Sequence, residues 1–411
     1  MEPFGVRVLL SPELTLSALT AVLAGVALGT VSGLTPGLHA NNFALLLVAV
    51  APSVPGPPEL VGAAMLAAGV THTFLDVVPA LALGVPDAAM AVTALPGHRL
   101  VLAGRGREAL RLSALGSGLA VVFAVPLALP LTWLMVRYYP VVRPRLPIAL
   151  AAVAVYLVAT EGDRTARVGA ALAFVASAIL GLVLLDVGVD GPLPAGDVLA
   201  PLFGGLFGAP VLVDALRGGG VPPQADARLA VGRRAVLATA GLGALAGAIV
   251  GYVPGVSAAI AAAVVLGALP RGGAREFVVA VSGVNTSNAI FALFALVALG
   301  SPRTGVLVAL NEAAVPLDLP LLLGAVVVAS AVGAVMVPTV GDRYLAAAGR
   351  VDYARLSLGM IAGLAGLSYL FAGPAGVGVF ALASAIGMIP PRFGARRVHL
   401  MGVLMGPLIV G

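Results

Sequence analysis

The sequence contains no cysteine and no lysine, and only 10% of its 411 residues are charged. The absence of cysteine excludes disulfide bonds, thiolate metal sites and redox dithiols. The scarcity of charge excludes a soluble globular enzyme, because soluble domains carry about 25% charged residues. Aromatic residues are also few, at 5%, whereas 60% of the residues are hydrophobic and glycine (53) and proline (31) are abundant. This composition is typical of membrane helices that pack closely and are kinked by proline.

Histidine is scarce as well, and the four histidines lie too far apart for a zinc motif. The basic residues are all arginines, and no basic stretch interleaved with aromatic residues is present, so the high pI of about 10.1 does not indicate a nucleic-acid partner. No cleavable signal is predicted, since residues 1–13 carry three charges and no small-residue cleavage site follows. We expect no cofactor and no metal site, apart from a coupling Na⁺ or H⁺.

Apolar runs fill most of the chain and predict an all-α polytopic protein of the cell membrane. Several of them, at about 13–15 residues, are too short for the roughly 20 residues of a full span, which is typical of re-entrant or half-helices. The runs cover residues 14–34, 38–51, 60–84, 113–136, 146–160, 168–185, 198–216, 235–252, 256–269, 277–300, 304–340, 356–372, 374–390 and 398–411.

Arginine is distributed unevenly between two alternating sets of connections. Eighteen of the 23 arginines fall in one set and five in the other. The rich set comprises 97–111, 164–167, 217–234, 271–275, 343–355 and 392–397. The poor set comprises the N-terminus, 137–145, 186–197 and 302–318. The positive-inside rule predicts that the rich set is cytoplasmic.

An internal repeat is visible in the order of three matched landmarks. Gly33-Leu-Thr-Pro36-Gly37 returns as Gly251-Tyr-Val-Pro254-Gly255, 218 residues later. The stretch that begins at Gly69 matches the one at Gly283, and Gly84-Val-Pro86-Asp87 matches Gly300-Ser-Pro302-Arg303. We therefore divide the chain into a first membrane repeat (1–216), a cytoplasmic linker (217–234) and a second membrane repeat (235–411).

The charges around the landmarks are swapped between the two repeats. In the first repeat the arginine-rich connection 97–111 follows the landmark that begins at Gly69. In the second repeat the arginine-containing connection 271–275 precedes the equivalent landmark at Gly283. Equivalent landmarks are therefore predicted to face opposite sides, as in the inverted-topology repeats of many secondary transporters. An old duplication in a scaffold without transport function is the alternative.

The two Pro-Gly passages, the stretch Thr71–Asp76 and the run from Gly84 to Arg99 resemble the archaeal branch of the TctA family. This family provides the large membrane subunit of tripartite tricarboxylate transporters. The resemblance extends over nearly the whole chain and implies a permease that moves a carboxylate, driven by an ion gradient. It also implies a small membrane subunit and an external binding protein as partners. The chain is shorter than classical members, and its first motif reads Pro-Gly-Leu-His-Ala-Asn.

Each Pro-Gly motif interrupts an apolar run and is predicted to start a half-helix. Its free N–H groups and dipole would attract an anion, and two such breaks in matching positions indicate a substrate site. A simple kink that packs helices is the alternative reading. The predicted substrate-binding residues are Pro36, Gly37, His39, Asn41, Asn42, Pro254, Gly255, Ser257, Asn285 and Ser287.

A second polar group lies inside the apolar run 60–84. An acidic residue in a membrane segment is costly and by default marks an ion path or a substrate site. We expect Asp76 to face the uncharged polar stretch 285–288 and to coordinate Na⁺, or to carry a proton together with His72 four residues away. A polar pair that merely bridges helices is the alternative. The predicted ion-coupling residues are Thr71, His72, Thr73, Asp76, Thr286 and Asn288.

Two other functions compete with carboxylate transport. A translocase for a polyprenyl-phosphate lipid could use the same anion-binding helix ends. An enzyme is not predicted, because the sequence has no H-E-x-x-H motif, no Ser-His constellation and no second intramembrane aspartate beside Asp76. Arg303 is expected at the outer mouth, as a solvated charge. The sequence leaves the carboxylate, the coupling ion and the formation of a homo-oligomer open.

Overall fold

A computed structural model describes residues 11–36, 38, 40–84, 94–193, 198–216, 221–253, 256, 258, 260–262, 265, 273–350 and 352–411. These residues form helices and their connections, with no strand among them. The helices are α1 Pro12–Leu34, α2 Ala40–Val50, α3 Pro58–Leu75, α4 Val77–Leu83, α5 Ala94–Leu102, α6 Gly106–Val142, α7 Leu146–Ala159, α8 Arg164–Leu184, α9 Leu199–Phe203, α10 Ala209–Ala215, α11 Arg233–Tyr252, α12 Ala274–Leu299, α13 Gly305–Glu312, α14 Leu319–Ala348, α15 Tyr353–Gly387, α16 Ile389–Phe393 and α17 Gly402–Val410.

Eight helical stretches of the described chain are long and apolar enough to cross a membrane. Their outward faces carry large apolar side chains such as Val31, Trp133 and Ile148, each at least 70% exposed, which suits contact with lipid. Three further apolar stretches, 40–53, 199–215 and 397–410, are too short to span. The all-helical architecture predicted from the sequence is confirmed.

Proline accounts for two interruptions inside these helices. Pro79 has no N–H to donate to the carbonyl of Leu75, and the helix breaks at Asp76, between α3 and α4. Pro374 breaks α15, where Gly373 has a φ of 60°. The carbonyl of Leu370, which Pro374 cannot serve, accepts a hydrogen bond of 2.9 Å from the backbone N–H of Leu193. The sequence analysis places the boundary between the apolar runs 356–372 and 374–390 at this same glycine.

The two halves of the chain repeat the same helix boundaries. Helix α1 ends at Leu34 and α11 at Tyr252, 218 positions later, and Ala258, which corresponds to the first residue of α2, Ala40, at the same offset, is also helical. The stretch Pro58–Leu83 corresponds to Ala274–Leu299 at an offset of 216. Both stretches end at a glycine in the left-handed region, Gly84 (φ 69°) and Gly300 (φ 61°).

Glycine seams join the equivalent helix pairs. A Cβ atom on any of these glycines would overlap atoms of the opposite helix, so the two backbones are in direct contact. Such seams of small residues are the usual way in which helices approach closely in lipid. Gly25, Gly29 and Gly33 of α1 contact α3 at Ala64, Ala68 and His72, and Gly243, Gly247 and Gly251 of α11 contact α12 at Ala280, Val284 and Phe291.

The seams correct the register of the repeat in one place. Gly29 contacts Thr71, and its equivalent Gly247 contacts Ser287, 216 residues after Thr71. The sequence match of Gly69 with Gly283 implies an offset of 214, which pairs Thr71 with Asn285 instead. The packing decides for 216, because a shift of two residues would turn the contact face of α12 by about 200° and away from the glycines.

The two halves interlock through exchanged helices. Helix α6 of the first half packs on α11 and α12, and α14 of the second half packs on α3. Gly116 lies against the backbone of Val279, and the hydroxyls of Ser113 and Ser282 are 2.8 Å apart. Gly333 lies against the ring of Phe74. Each half therefore contributes one helix that packs against the other half, α6 from the first and α14 from the second.

Ionic clusters hold the connections at one end of α6. The buried carboxylate of Glu108 accepts hydrogen bonds from Arg105 (2.6 Å), Arg275 (2.9 Å) and the N–H of Ala230 (2.8 Å). Glu108 thus ties together the first half, the linker and the second half. A similar cluster joins Glu161, in the α7–α8 connection, to Arg396 and His399, each at 2.7 Å. Burial alone would raise the pKa of Glu161, but the hydrogen bonds from Arg396 and His399 hold it below its usual value.

We predict that Gly29→Ala lowers the thermal stability of the purified protein. The new methyl group must separate α1 from α3, and overpacking of this kind costs about 1–3 kcal/mol. The matched control is Gly324→Ala, on the open side of α14, where the added methyl group meets no atom within 4 Å. Gly324→Ala should be neutral or stabilising, since alanine is the better helix former. Equal melting temperatures for the two variants would contradict the close contact at Gly29.

Candidate functional site

One enclosed pocket lies where the two halves meet. It has a volume of about 210 Å³, the share of about seven water molecules in the liquid. Its polar lining comes from Asn41, Thr73, Asn285, Asn288, Arg303 and Thr304. The rest of its wall is apolar or glycine, from α3, α12 and α13 and from the short apolar stretches at Phe203 and at Met401 and Leu404. The described lining contains one cationic side chain and no acidic one.

The floor of the pocket is formed by Thr73 and Asn285, near the middle of the equivalent helical stretches Pro58–Leu83 and Ala274–Leu299. The side-chain amide of Asn285 donates to Oδ2 of Asp76 and to the carbonyl of Thr73, both at 3.4 Å. Asp76 is only 4% exposed and is absent from the lining, so it lies behind Asn285 and Thr73. The sequence-based expectation that Asp76 and the 285–288 stretch face each other therefore agrees with the geometry.

The helix break at Asp76 explains how a carboxylate is accommodated at this depth. Pro79 leaves the Leu75 carbonyl without its helical donor, so the backbone here is polar as well. Polar backbone inside a membrane protein is tolerated only where protein or water surrounds it. The amide of Asn285 and the nearby pocket provide such surroundings.

Two helix starts lie at the pocket. Ala40 and Asn41 begin α2, and Thr304 and Gly305 begin α13. The first N–H groups of a helix have no partner within the helix, and the helix dipole makes this end positive. The starts of these two helices therefore add to the positive character that Arg303 gives the pocket.

Glycine allows two of these elements to approach the pocket. Gly305 lies directly against Asn41, so that α13 and α2 touch at their first turns, and a Cβ at Gly69 would overlap the side chain of Val306. The two glycines bring the start of α13 down onto α3. A side chain at either position would push α13 away from the pocket.

Arg303 closes the other end of the pocket. Its Nη2 atom donates to the hydroxyl of Tyr139 at 2.7 Å, and its guanidinium lies 5.5 Å from the centre of that ring. The Nε atom is buried and has no hydrogen-bond partner among the described residues. The guanidinium is thus half-buried, held at one side by Tyr139 and open to the pocket at the other.

His72 lies deeper than the pocket lining. Its Nδ1 atom is 2.9 Å from the hydroxyl of Ser32 on α1, and its ring stacks on Phe43 of α2 with centroids 5.5 Å apart. The neighbouring hydroxyls of Thr71 and Thr286 are buried and have no hydrogen-bond partner among the described residues. The polar side chains of this layer therefore belong to all three helices α1, α3 and α12.

The structure brings together only some of the residues predicted from the sequence. Asn41, Thr73, Asn285 and Asn288 line the pocket, with Asp76 directly behind. Ser287 lies in the seam with Gly247 and donates to the carbonyl of Gly283, and Asn42 is buried outside the lining. Pro36 follows the end of α1. Gly37, His39, Pro254, Gly255 and Ser257 lie outside the described residues.

Sequence reasoning missed the stretch Arg303–Gly305. We expected Arg303 to be a solvated rim charge, and the structure places it in the pocket. The signal was available, since Gly300-Ser-Pro302 is one of the repeated landmarks and also a helix break. The run 304–340 already predicted that the next helix starts at once, and the structure adds that this start, at Gly305, turns the arginine inward.

The comparisons with known proteins agree with these features. The model of the tripartite tricarboxylate transporter TctA family matches residues 19–402. The chain belongs to the TctA family. It is also 28% identical over 348 residues to an uncharacterised protein of Methanocaldococcus jannaschii, covering 82% of this chain and 83% of that protein. No solved structure matches it.

Membership of the TctA family makes the chain a multi-pass membrane protein and a component of a tricarboxylate-transporter system. TctA is the large membrane subunit of such systems, which implies partner subunits and a substrate-binding protein. The resemblance inferred from the motifs is therefore confirmed at the level of the family.

We predict that Asn285→Ala destabilises the protein more than Asn288→Ala. The first change removes an amide donor from a buried carboxylate, and such bonds contribute about 1.5–3 kcal/mol at ideal geometry and less at 3.4 Å. The second removes a side chain whose Oδ1 has no partner among the described residues. Thermal unfolding in detergent checks the difference. Equal losses would show that the Asn285–Asp76 contact does not hold α12 against α3.

Proposed function

We propose that the protein is a secondary transporter that moves a small di- or tricarboxylate by alternating access, coupled to Na⁺ or H⁺. The single observation that carries this proposal is the pocket between the two halves. Its described lining offers one arginine, two helix starts and several amides to a ligand, and it presents no acidic side chain. This donor set suits a compact anion with more than one carboxylate.

Arg303 is the proposed primary ligand of one substrate carboxylate. A guanidinium binds a carboxylate through two parallel hydrogen bonds, and the buried Nε of Arg303 is available for one of them. The start of α13 lies beside it and would bind the same carboxylate. A second carboxylate would lie nearer α2 and the floor, against Asn41, Asn285 and Asn288.

Asp76 is the proposed ion-coupling residue. Asn285 touches the pocket with one side and the carboxylate of Asp76 with the other, so the two candidate sites share a side chain. A Na⁺ ion at Asp76 would take oxygen ligands from the layer that contains the Thr71 and Thr286 hydroxyls. Proton coupling through His72 and Asp76 remains the second mechanism. Either ion would offset the negative charge that Asp76 presents to an anionic substrate, so ion and substrate would bind cooperatively.

The proposed motion is rocking of two inverted repeats, 1–216 and 235–411, joined by the linker 217–234. Three observations support it: the repeated helix boundaries, the exchanged helices α6 and α14, and the opposite arginine distribution around equivalent landmarks. In transporters of this type the substrate lies near the mid-plane, between half-helices that point at its charges. The pocket floor lies near the middle of the helical stretches Pro58–Leu83 and Ala274–Leu299, as this design requires.

We predict that Asp76→Asn abolishes ion-coupled uptake. The test uses purified protein in liposomes, labelled succinate and citrate, and an inward Na⁺ or H⁺ gradient. The wild type should accumulate substrate only with the gradient, whereas the variant should lose this dependence because the amide cannot carry the coupling charge. Asp186→Asn, in an exposed connection, is the control and should behave as wild type. Unchanged ion dependence of uptake in Asp76→Asn would show that Asp76 is not the ion-coupling residue.

We predict that Arg303→Gln raises the KM for the carboxylate by about 10–100-fold. This range follows from the roughly 1.5–3 kcal/mol of a charged hydrogen bond and from a factor of ten per 1.4 kcal/mol. Arg303→Lys should recover part of the loss, because it retains the charge but not the two-bond geometry. An unchanged KM in Arg303→Gln would show that Arg303 and its pocket do not bind the substrate.

The same vesicles distinguish the remaining readings. If neither carboxylate enters, uptake is repeated with the partner subunits and binding protein that the family implies. Flipping of a polyprenyl-phosphate lipid in the vesicles, without carboxylate uptake, would replace the carboxylate by a lipid phosphate as the substrate.

A further inference from the structure

A second, larger chamber adjoins the pocket at the C-terminal end of α6. It has a volume of about 530 Å³ and lies between α6, the start of α7 and the α12–α13 connection. Its polar lining consists of Tyr139, Arg143, Ser301 and Arg303, and its apolar wall comes mainly from Leu146, Leu150, Leu299 and Leu408. Arg303 lines both the chamber and the pocket, so its side chain borders the two spaces.

The chamber has the charge of an anion site. It contains two arginines and no acidic residue in its described lining. The Tyr139 hydroxyl accepts its hydrogen bond from Arg303, which leaves its own proton free to be donated to a ligand.

The position of Arg303 suggests how the two spaces communicate. Its contact with Tyr139 combines one hydrogen bond with a cation–π interaction, each of which a carboxylate can replace with a bidentate pair. A ligand in the chamber would compete with Tyr139 for the guanidinium and would draw it out of its present position. The guanidinium is the part of the wall that must move if an anion is to pass into the pocket.

We propose that this chamber is a loading site for the carboxylate, in which Arg143 and Tyr139 first capture the anion and Arg303 then passes it to the pocket. The proposal rests on the proposed function for the identity of the anion. By the arginine distribution, the chamber opens on the outer side of the membrane, from which substrate would arrive. Arg143 therefore binds the anion in the chamber and does not line the transport pocket.

The absence of cysteine from the chain permits a direct test. Ser301→Cys places one thiol in the chamber, and its reaction rates with an anionic and a cationic thiosulfonate reagent of similar size are compared in an uncharged detergent. The anionic reagent should react faster. Adding Arg143→Gln should lower the ratio of the two rates about tenfold, the effect of one charge at roughly 6 Å in water on reagents of opposite sign.

The matched control is Arg145→Gln, in the same turn, whose guanidinium donates to the carbonyl of Val141 and does not line the chamber. It should leave the ratio unchanged, and Arg143→Lys should retain the high ratio because it retains the charge. Equal effects of Arg143→Gln and Arg145→Gln, or no effect of either, would overturn the proposal.

Protection experiments identify the anion. Succinate or citrate should slow modification of the thiol, and Arg143→Gln should abolish this protection. Protection by phosphatidylglycerol alone would assign the chamber to lipid headgroups and would overturn a loading site for carboxylates. These readouts do not require transport, so protection by carboxylates together with failed uptake would reject the proposed function and keep the site.

Discussion

Backbone contact across the two glycine seams is the constraint on which the rest of the structure depends. In lipid there is no hydrophobic force to press helices together, so α1 and α3, and likewise α11 and α12, are held by close packing along Gly25, Gly29 and Gly33 and along their equivalents. This contact sets the rotation of α3 and α12 about their axes. The rotation in turn decides that Thr73 and Asn285 face the interface between the halves.

Broken helices supply the polar groups that this interface needs. A continuous membrane helix satisfies its own backbone and offers a ligand nothing but side chains. Here proline ends the continuity at Asp76, and the starts of α2 and α13 carry unsatisfied N–H groups at the pocket wall. The cost of exposing polar backbone at this depth is offset only where both halves surround it, which is why pocket and interface coincide.

The site is asymmetric although its frame is duplicated. Asp76 corresponds to Ala292 in the second half at the offset of 216, and Arg303 corresponds to Asp87, which lies outside the described residues. At the site, the first repeat therefore contributes the acidic Asp76 and the second repeat the basic Arg303. Such a division suits a protein that must bind a cation and an anion side by side, with each repeat holding the ligand of opposite charge.

The sequence by itself determined the all-helical membrane architecture, most helix boundaries, the repeat and the family, because these follow from hydrophobic runs, proline positions and local motifs. It also predicted that Asp76 faces the 285–288 stretch, because both are polar positions in the matching apolar runs of the two repeats. The tertiary structure alone decided the register of 216, the place of Ser287 in a seam and the inward position of Arg303. These depend on how the helices rotate and cross. A run that is apolar on all sides of its helix does not encode which face packs against a neighbour.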